Sequence, residues 1–132
     1  NENILVTNLL GNIESVEEFE DRNCIKVVID LNSDALYFSR EPIPTKNTTD
    51  KIQMKKQVCV IPFRRDFLYK YTKVEPTPLE ILESVDMMRV LEHGFKVKMI
   101  PTKHVSHAVD TPQDLKKVES LIRENNMLNK FI

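Results

Sequence analysis

The sequence predicts an α/β fold built around a mixed sheet, and three observations predict it. Runs rich in β-branched and aromatic residues, at 25–30 and 35–40, read as strands. Two segments with apolar residues at helical spacing open on Thr77-Pro78 and Thr111-Pro112, the cap-then-proline start of a helix. Strand-like and helix-like segments alternate along the chain, which layers helices against a sheet. The 132 residues carry no repeat, low-complexity tract or Ser/Gly linker, so residues 1–132 read as a single domain with length enough for a buried core.

In chain order, Ile4-Leu5-Val6 predicts an opening strand. Ser15 followed by Glu18 is a capping box that starts a short helix fading by Asn23. Residues 25–30 and 35–40 form a hairpin across the turn residues Leu31-Asn32-Ser33-Asp34, and Pro42 and Pro44 end its pairing. Residues 45–56 are polar and aperiodic, which predicts an exposed loop. Residues 57–63 predict a third strand with Val58, Val60 and Phe63 partly buried. Phe67, Leu68 and Tyr71 space themselves as a short helix. A single helix is predicted from Thr77 to its glycine stop at Gly94, with Ile81, Leu82, Val85, Met88 and Leu91 on one buried face. Residues 95–100 alternate lysine with apolar side chains, a half-exposed strand. Leu115, Val118, Leu121 and Ile122 give the last helix a buried stripe.

Composition narrows the chemistry. Nineteen basic against twenty acidic residues leave a net charge of -1, so no basic excess exists to hold a nucleic acid by its phosphates. Lys55-Lys56 and Arg64-Arg65 are short pairs without interleaved aromatics, which argues the same way. No apolar run approaches the roughly 20 residues of a membrane helix, and no export signal is visible. Cys24 and Cys59 form no CxxC, so neither a zinc site nor a disulfide framework is readable, and a reducing cytoplasm is the expected location. With Gly11 and Gly94 the only glycines, no glycine-rich phosphate cradle can form within these residues. The chain opens on Asn1, which raises the expectation of a piece of a larger protein.

Four constellations bear on function. Glu80, Glu83 and Asp86 stand three apart on the predicted long helix, ahead of Arg89. That spacing suits a wall of acceptors for sugar-like hydroxyls; the competing account, which spacing alone favours, is a solvated face with Glu80 as a cap and Asp86–Arg89 as a surface pair. His104, His107 and Asp110 form an HxxHxxD run, but Thr111-Pro112 starts a helix only after it, so on a strand end or loop the three do not converge on a metal. Asp110 itself precedes a helix start and follows Ala108-Val109, a position where α/β folds place ligands and where a carboxylate could hold a divalent cation against phosphate; an ordinary loop aspartate beside a helix start is the competing account. Arg40 ends a strand ahead of Pro-Ile-Pro, and a fixed guanidinium there suits a carboxylate; an exposed rim arginine is the competing account.

These residues resemble a family. Residues 25–30, followed by Ala35-Leu36-Tyr37-Phe38-Ser39-Arg40-Glu41-Pro42-Ile43-Pro44, are similar to the "VKVV-D…ALYFSR-PIP" stretch of bacterial 3-deoxy-manno-octulosonate cytidylyltransferases, the CMP-KDO synthetases. Residues 77–94 resemble that family's "SPLE" helix, and Val109-Asp110-Thr111-Pro112-Gln113-Asp114-Leu115 its "VDTPEDL" motif. The resemblance implies the C-terminal portion of a nucleotide-diphosphosugar transferase fold, acting as the sugar-binding and dimerising half of an enzyme. It implies transfer of CMP from CTP to an acidic keto-deoxy sugar, with Mg2+ as cofactor, release of pyrophosphate and a homodimeric assembly. Its site would place Asp110 on the metal as the catalytic carboxylate, Arg40 on the sugar carboxylate, and Glu83 with Asp86 on the sugar hydroxyls.

The sequence also departs from the family. Its glycine- and lysine-bearing phosphate loop and its acidic "QGDEP" turn have no counterpart in these residues, so the nucleotide-binding half is expected to be absent and the isolated chain inactive toward CTP. The family's "H–GIY–YR" strand is here Gln57-Val58-Cys59-Val60-Ile61-Pro62-Phe63-Arg64, so Gln57 and Ile61 replace a sugar-facing histidine and tyrosine. Asp86 and Met87 replace the helix's Glu and Gln. The alternative function is a non-catalytic sugar-binding or assembly module that has kept the scaffold.

Overall fold

A computed structural model describes residues 3–45, 53–104, 107, 109 and 111–124. Its elements are β1 (Thr7–Asn12), α1 (Val16–Glu20), β2 (Lys26–Ile29), β3 (Ala35–Ser39), β4 (Lys55–Val58), α2 (Arg65–Tyr71), α3 (Pro78–Glu83), α4 (Met87–Glu92), β5 (Lys98–Pro101) and α5 (Pro112–Glu124). The strands form one sheet in the order β3-β2-β4-β1-β5. β1 and β5 run parallel and the other neighbours antiparallel, so the sheet is mixed, as the alternation of elements predicts.

The hairpin forms where its turn residues require it. Asp30 Oδ1 accepts the amides of Asn32 and Asp34, both at 2.8 Å, and Ser33 takes a left-handed φ of 63°. Asp34 then binds Lys96 at 3.0 Å and Lys98 at 2.5 Å, tying the turn to β5.

Four elements differ from the sequence reading. The opening strand begins at Thr7, with Val6 reaching a lone bridge to Phe63 instead of starting the ladder. β4 begins at Lys55, two residues before the predicted start, and ends at Val58. Lys56, expected in an exposed loop, is buried and ion-paired with Glu18 of α1. Gly11 lies opposite Lys56, and a Cβ there would stand 3.2 Å from Lys56 Cε and 3.1 Å from Val58 Cγ2. Bare backbone at position 11 is what lets the lysine lie flat across the strand. Residues 46–52 of the predicted loop lie outside the described residues.

The predicted long helix is two helices. Ser84 adopts φ 54°, ψ 50° and stops α3, after which Asp86 starts α4. The break re-aims the apolar stripe. Val85, Met87, Met88 and Val90 join Val6, Leu10, Val27, Phe38, Val97 and Met99 in the core, while Ile81 and Leu82 are 69% and 78% exposed. Each buried methionine or valine contributes about 1.5–3 kcal/mol, so the core favours this rotation over a straight rod. α4 ends as predicted: Gly94, at φ 75°, donates to Leu91 O at 2.9 Å and Phe95 donates to Val90 O at 3.1 Å. α5 starts on a reciprocal Thr111–Asp114 capping box, but none of its residues is buried; of the stripe expected to be buried, Val118, Leu121 and Ile122 are half-buried and Leu115 is exposed.

Candidate functional site

The site begins where β3 ends. Glu83, the last residue of α3, brings its carboxylate to the strand: Tyr37 Oη donates to it at 3.0 Å, Ser39 Oγ at 3.0 Å and the Arg40 amide at 3.1 Å. Tyr37 and Ser39 share a strand face because side chains alternate with period two. Burial raises the Tyr37 phenol above its ordinary value, and the neighbouring Glu83 raises it further.

Arg40 answers from its side chain. Nε donates to Glu83 O at 2.9 Å, Nη2 to Ser84 O at 3.0 Å and Nη1 to Arg22 O at 3.0 Å. The left-handed turn at Ser84 is what exposes two of these carbonyls side by side. All three partners are neutral, and among the described residues no carboxylate pairs with this guanidinium. Its positive charge is therefore held in place without being cancelled, and two of its roughly five N–H groups are left over. Beside it, Arg22 pairs with Glu41 at the surface.

Lys26 supports this arrangement from inside. It is fully buried, and its ammonium donates to three carbonyls: Asp21 at 2.8 Å, Cys24 at 2.6 Å and Arg40 at 2.5 Å. Burial lowers its pKa, and burial together with Glu18 lifts the adjacent Cys24 thiol to about 11. Such a thiol is no nucleophile at neutral pH.

Strand register puts Gln57 on the same face of the sheet as Arg40. Lys26 pairs with Ser39 on one side and with Lys56 on the other. One residue further along, Ile25 therefore falls between Arg40 and Gln57, and the Gln57 amide donates to Ile25 O at 2.8 Å. Arg40, Ile25 and Gln57 form one row across neighbouring chain segments, with the outer two about 10 Å apart at the backbone. Gln57 Nε2 donates to Asn8 Oδ1 at 2.6 Å.

Asp86 stands apart from this row. It is exposed, and its carbonyl accepts from Tyr71 Oη of α2 at 3.2 Å, whereas Glu83 bonds to β3. Because the helix breaks at Ser84, the three-residue spacing of Glu80, Glu83 and Asp86 does not stack them along one rod. The proposed Asp86–Arg89 surface pair gives way to a buried one: Arg89 forks onto Glu80 at 2.7 and 2.5 Å and lies over the Tyr71 ring at 4.7 Å. Glu80 also accepts the Thr77 amide at 3.2 Å, so it is both cap and ion-pair partner.

Asp110 lies outside the described residues. Among the described residues no group of three His, Cys, Asp or Glu side chains could enclose a metal ion. Likewise, none of their helices is long and apolar enough to cross a membrane.

Tyr37, Ser39, Lys26 and Asn8 escaped the sequence reading. Tyr37 and Ser39 were legible as a polar pair on one face of a strand; Asn8 was legible as an amide among apolar neighbours. Nothing in the sequence marks a strand lysine whose three partners are backbone oxygens.

The chain matches the profile of the cytidylyltransferase family over residues 1–105. It is 38% identical over 127 residues to the 3-deoxy-manno-octulosonate cytidylyltransferase of Fusobacterium nucleatum, covering 96% of this chain and 52% of that protein. Against the mitochondrial enzyme of that description from Arabidopsis thaliana it is 40% identical over 115 residues, covering 84% of this chain and 39% of the other. Its fold superposes on the structure of CMP:2-keto-3-deoxy-manno-octonic acid synthetase complexed with CTP, with a TM-score of 0.83 and 31% identity over 95% of this chain and 52% of that one. The chain thus spans about half the length of the relatives it matches. With the family profile matched over residues 1–105 and a relative 38% identical along 96% of its length, the chain belongs to the cytidylyltransferase family.

Proposed function

We propose that this chain is the sugar-acid-recognising half of a cytidylyltransferase, an enzyme that transfers CMP from CTP to an acidic keto-deoxy sugar such as 3-deoxy-manno-octulosonate, for surface polysaccharide synthesis. The observation that carries this reading is Arg40: a guanidinium clamped by three neutral carbonyls keeps its charge and its direction, the two things a carboxylate ligand needs. Support comes from the relatives, whose names specify that reaction, and from the CTP-bound neighbour.

In this reading Arg40 orients the sugar carboxylate and Gln57 meets a hydroxyl across the row. The Glu83 carboxylate has one acceptor position to spare beyond its three internal donors, and Asp86 lines the outer rim. The wanted geometry is set before the ligand arrives, which is how a transferase saves the entropy of orienting its acceptor. Asp110 is the proposed ligand of Mg2+, since a carboxylate oxygen suits a hard cation; the ion would neutralise charge on the nucleotide phosphates. A cytoplasmic location and a homodimer complete the proposal. Leu36, Ile81 and Leu82, all exposed, supply apolar surface for a second copy.

Calorimetric titration of the chain with 3-deoxy-manno-octulosonate tests the reading. Saturable binding that disappears when the sugar carboxylate is esterified is the expected result, with no pyrophosphate released from CTP and Mg2+ by this chain alone. Equal binding of acid and ester would overturn it. Sedimentation equilibrium tests the homodimer.

A further inference from the structure

We propose that Asn8 locks the Gln57 side-chain amide in one direction, so that position 57 offers a ligand an acceptor and selects a neutral hydroxyl there. The ligand part of this proposal rests on the sugar-acid reading above; the lock itself is a property of the unliganded chain.

Asn8 lies on β1 between Val6 and Leu10, on the strand face that these two residues bury in the core, and it is itself fully buried. An amide in such a place is tolerable only with its hydrogen-bonding capacity used. The Nδ2 end is surrounded by carbonyls: Val58 O at 2.6 Å, Leu9 O at 3.2 Å and Val60 O at 3.4 Å. Turning the amide over would press Oδ1 against three acceptors in a dry environment, where each unmatched oxygen costs about 1–3 kcal/mol. The donor end is therefore fixed on the carbonyls, and Oδ1 must point at Gln57.

That orientation passes to the next amide. Asn8 Oδ1 can only accept, so Gln57 presents Nε2 to it, at 2.6 Å. Oε1 is then the outward end of Gln57, and among the described residues no donor reaches it. A carboxylate or phosphate oxygen would be repelled at this position, whereas a hydroxyl donates to it. With the cationic Arg40 about 10 Å away along the row, the subsite has polarity: acid end at Arg40, donating hydroxyl at Gln57. Side chains that fit position 57 must donate inward and accept outward. Glutamine does so, as does neutral histidine with one nitrogen protonated. An ionised glutamate does not.

The experiment reads the lock first without ligand. In Gln57→Glu the new carboxyl faces an acceptor, so it must keep its proton; carbon-detected NMR titration is expected to place its pKa at least one unit above the ordinary value of about 4.3. Asn8→Thr in that background supplies a rotatable hydroxyl donor, and the pKa is expected to fall back. In the otherwise native chain, one Gln57 side-chain amide proton should exchange slowly, and Asn8→Thr should accelerate it at least about tenfold. An ordinary pKa in Gln57→Glu, with a normal melt showing that the variant folds, would overturn the lock. For the ligand part, Gln57→His is expected to bind 3-deoxy-manno-octulosonate within about threefold of the parent and Gln57→Leu about tenfold more weakly. Equal binding by Gln57→Leu overturns selection at this position. A parent chain that binds no sugar acid overturns the ligand assignment alone, because the pKa and exchange results then still decide the lock.

Discussion

Arg40 and Glu83 are joined by an exchange of side chain for main chain. The Arg40 guanidinium donates to the Glu83 carbonyl at 2.9 Å, while the Glu83 carboxylate accepts the Arg40 amide at 3.1 Å. The two opposite charges stand beside each other without forming an ion pair. This leaves the cation available to a ligand and makes the end of β3 and the end of α3 a single mechanical unit.

That relationship predicts the behaviour of Arg40→Lys. A lysine ammonium cannot reach three carbonyls set for a planar fork, so two hydrogen bonds are lost. Stability should fall by about 1–3 kcal/mol, read as a lower urea midpoint with an unchanged slope. Sugar-acid affinity should fall in parallel, although net charge is unchanged. A variant as stable as the parent would show that the carbonyl clamp contributes nothing.

Glu83→Gln keeps the shape and removes the charge. One amide oxygen must then serve donors that two carboxylate oxygens serve now, and the amide nitrogen meets a donor; the expected cost is about 1–3 kcal/mol. Losing the carboxylate should also bring the Tyr37 phenol down toward 10, leaving burial and the charge of Glu92 as the remaining causes of its elevation. Ultraviolet difference titration follows this directly. Because the folded-state value is raised, the Tyr37 contribution to stability is whole below about pH 10 and is lost as pH rises through the folded value. Glu83→Gln should shrink that alkaline loss.

The Glu80–Arg89 pair sets part of the acid limit. Hydrogen bonding from Arg89 holds the Glu80 carboxyl below its ordinary 4.5 despite burial. The folded state thus binds this proton more weakly than the unfolded chain does. Its stabilisation is complete above about pH 4.5 and is lost as pH falls through the lowered value. Arg89→Met should cost about 3–5 kcal/mol at neutral pH, since it strands a buried carboxylate. Urea midpoints from pH 3 to 7 should show the variant with a flatter acid limb, and an unchanged limb would remove Glu80 from the account.

Gly11→Ala tests why the glycine is there. Its Cβ would enter contact at 3.1 Å with Val58 and 3.2 Å with Lys56. Overpacking of this kind costs about 1–3 kcal/mol. Pairing the substitution with Lys56→Ala, which clears most of the space, should recover part of the loss. A double mutant no better than the sum of the singles would place the strain elsewhere.

How much of this was legible beforehand differs by element. The hairpin, the Thr77-Pro78 and Thr111-Pro112 helix starts and the Gly94 stop all read correctly, because each is written by local rules: a turn residue, a cap, a left-handed glycine. Lys56 did not, since a lysine's burial depends on a glycine across the ladder and a glutamate on another helix. Ile81 and Leu82 were assigned to the core on helical spacing, which assumes an unbroken helix. Ser84 breaks it, and no residue type there announces a left-handed turn.

By itself, then, the sequence determined the α/β class, the family likeness and the identity of Arg40 and Gln57 as residues of interest. It could do so because caps, β-branched runs and motifs act over a few residues. Tertiary structure decided what those residues can do. Strand register set Arg40 and Gln57 on either side of Ile25, the turn at Ser84 gave Arg40 neutral partners in place of an anion, and a buried asparagine gave the glutamine its direction. Each of these depends on groups separated by tens of residues, whose meeting is fixed by the pairing of strands and the closing of the core.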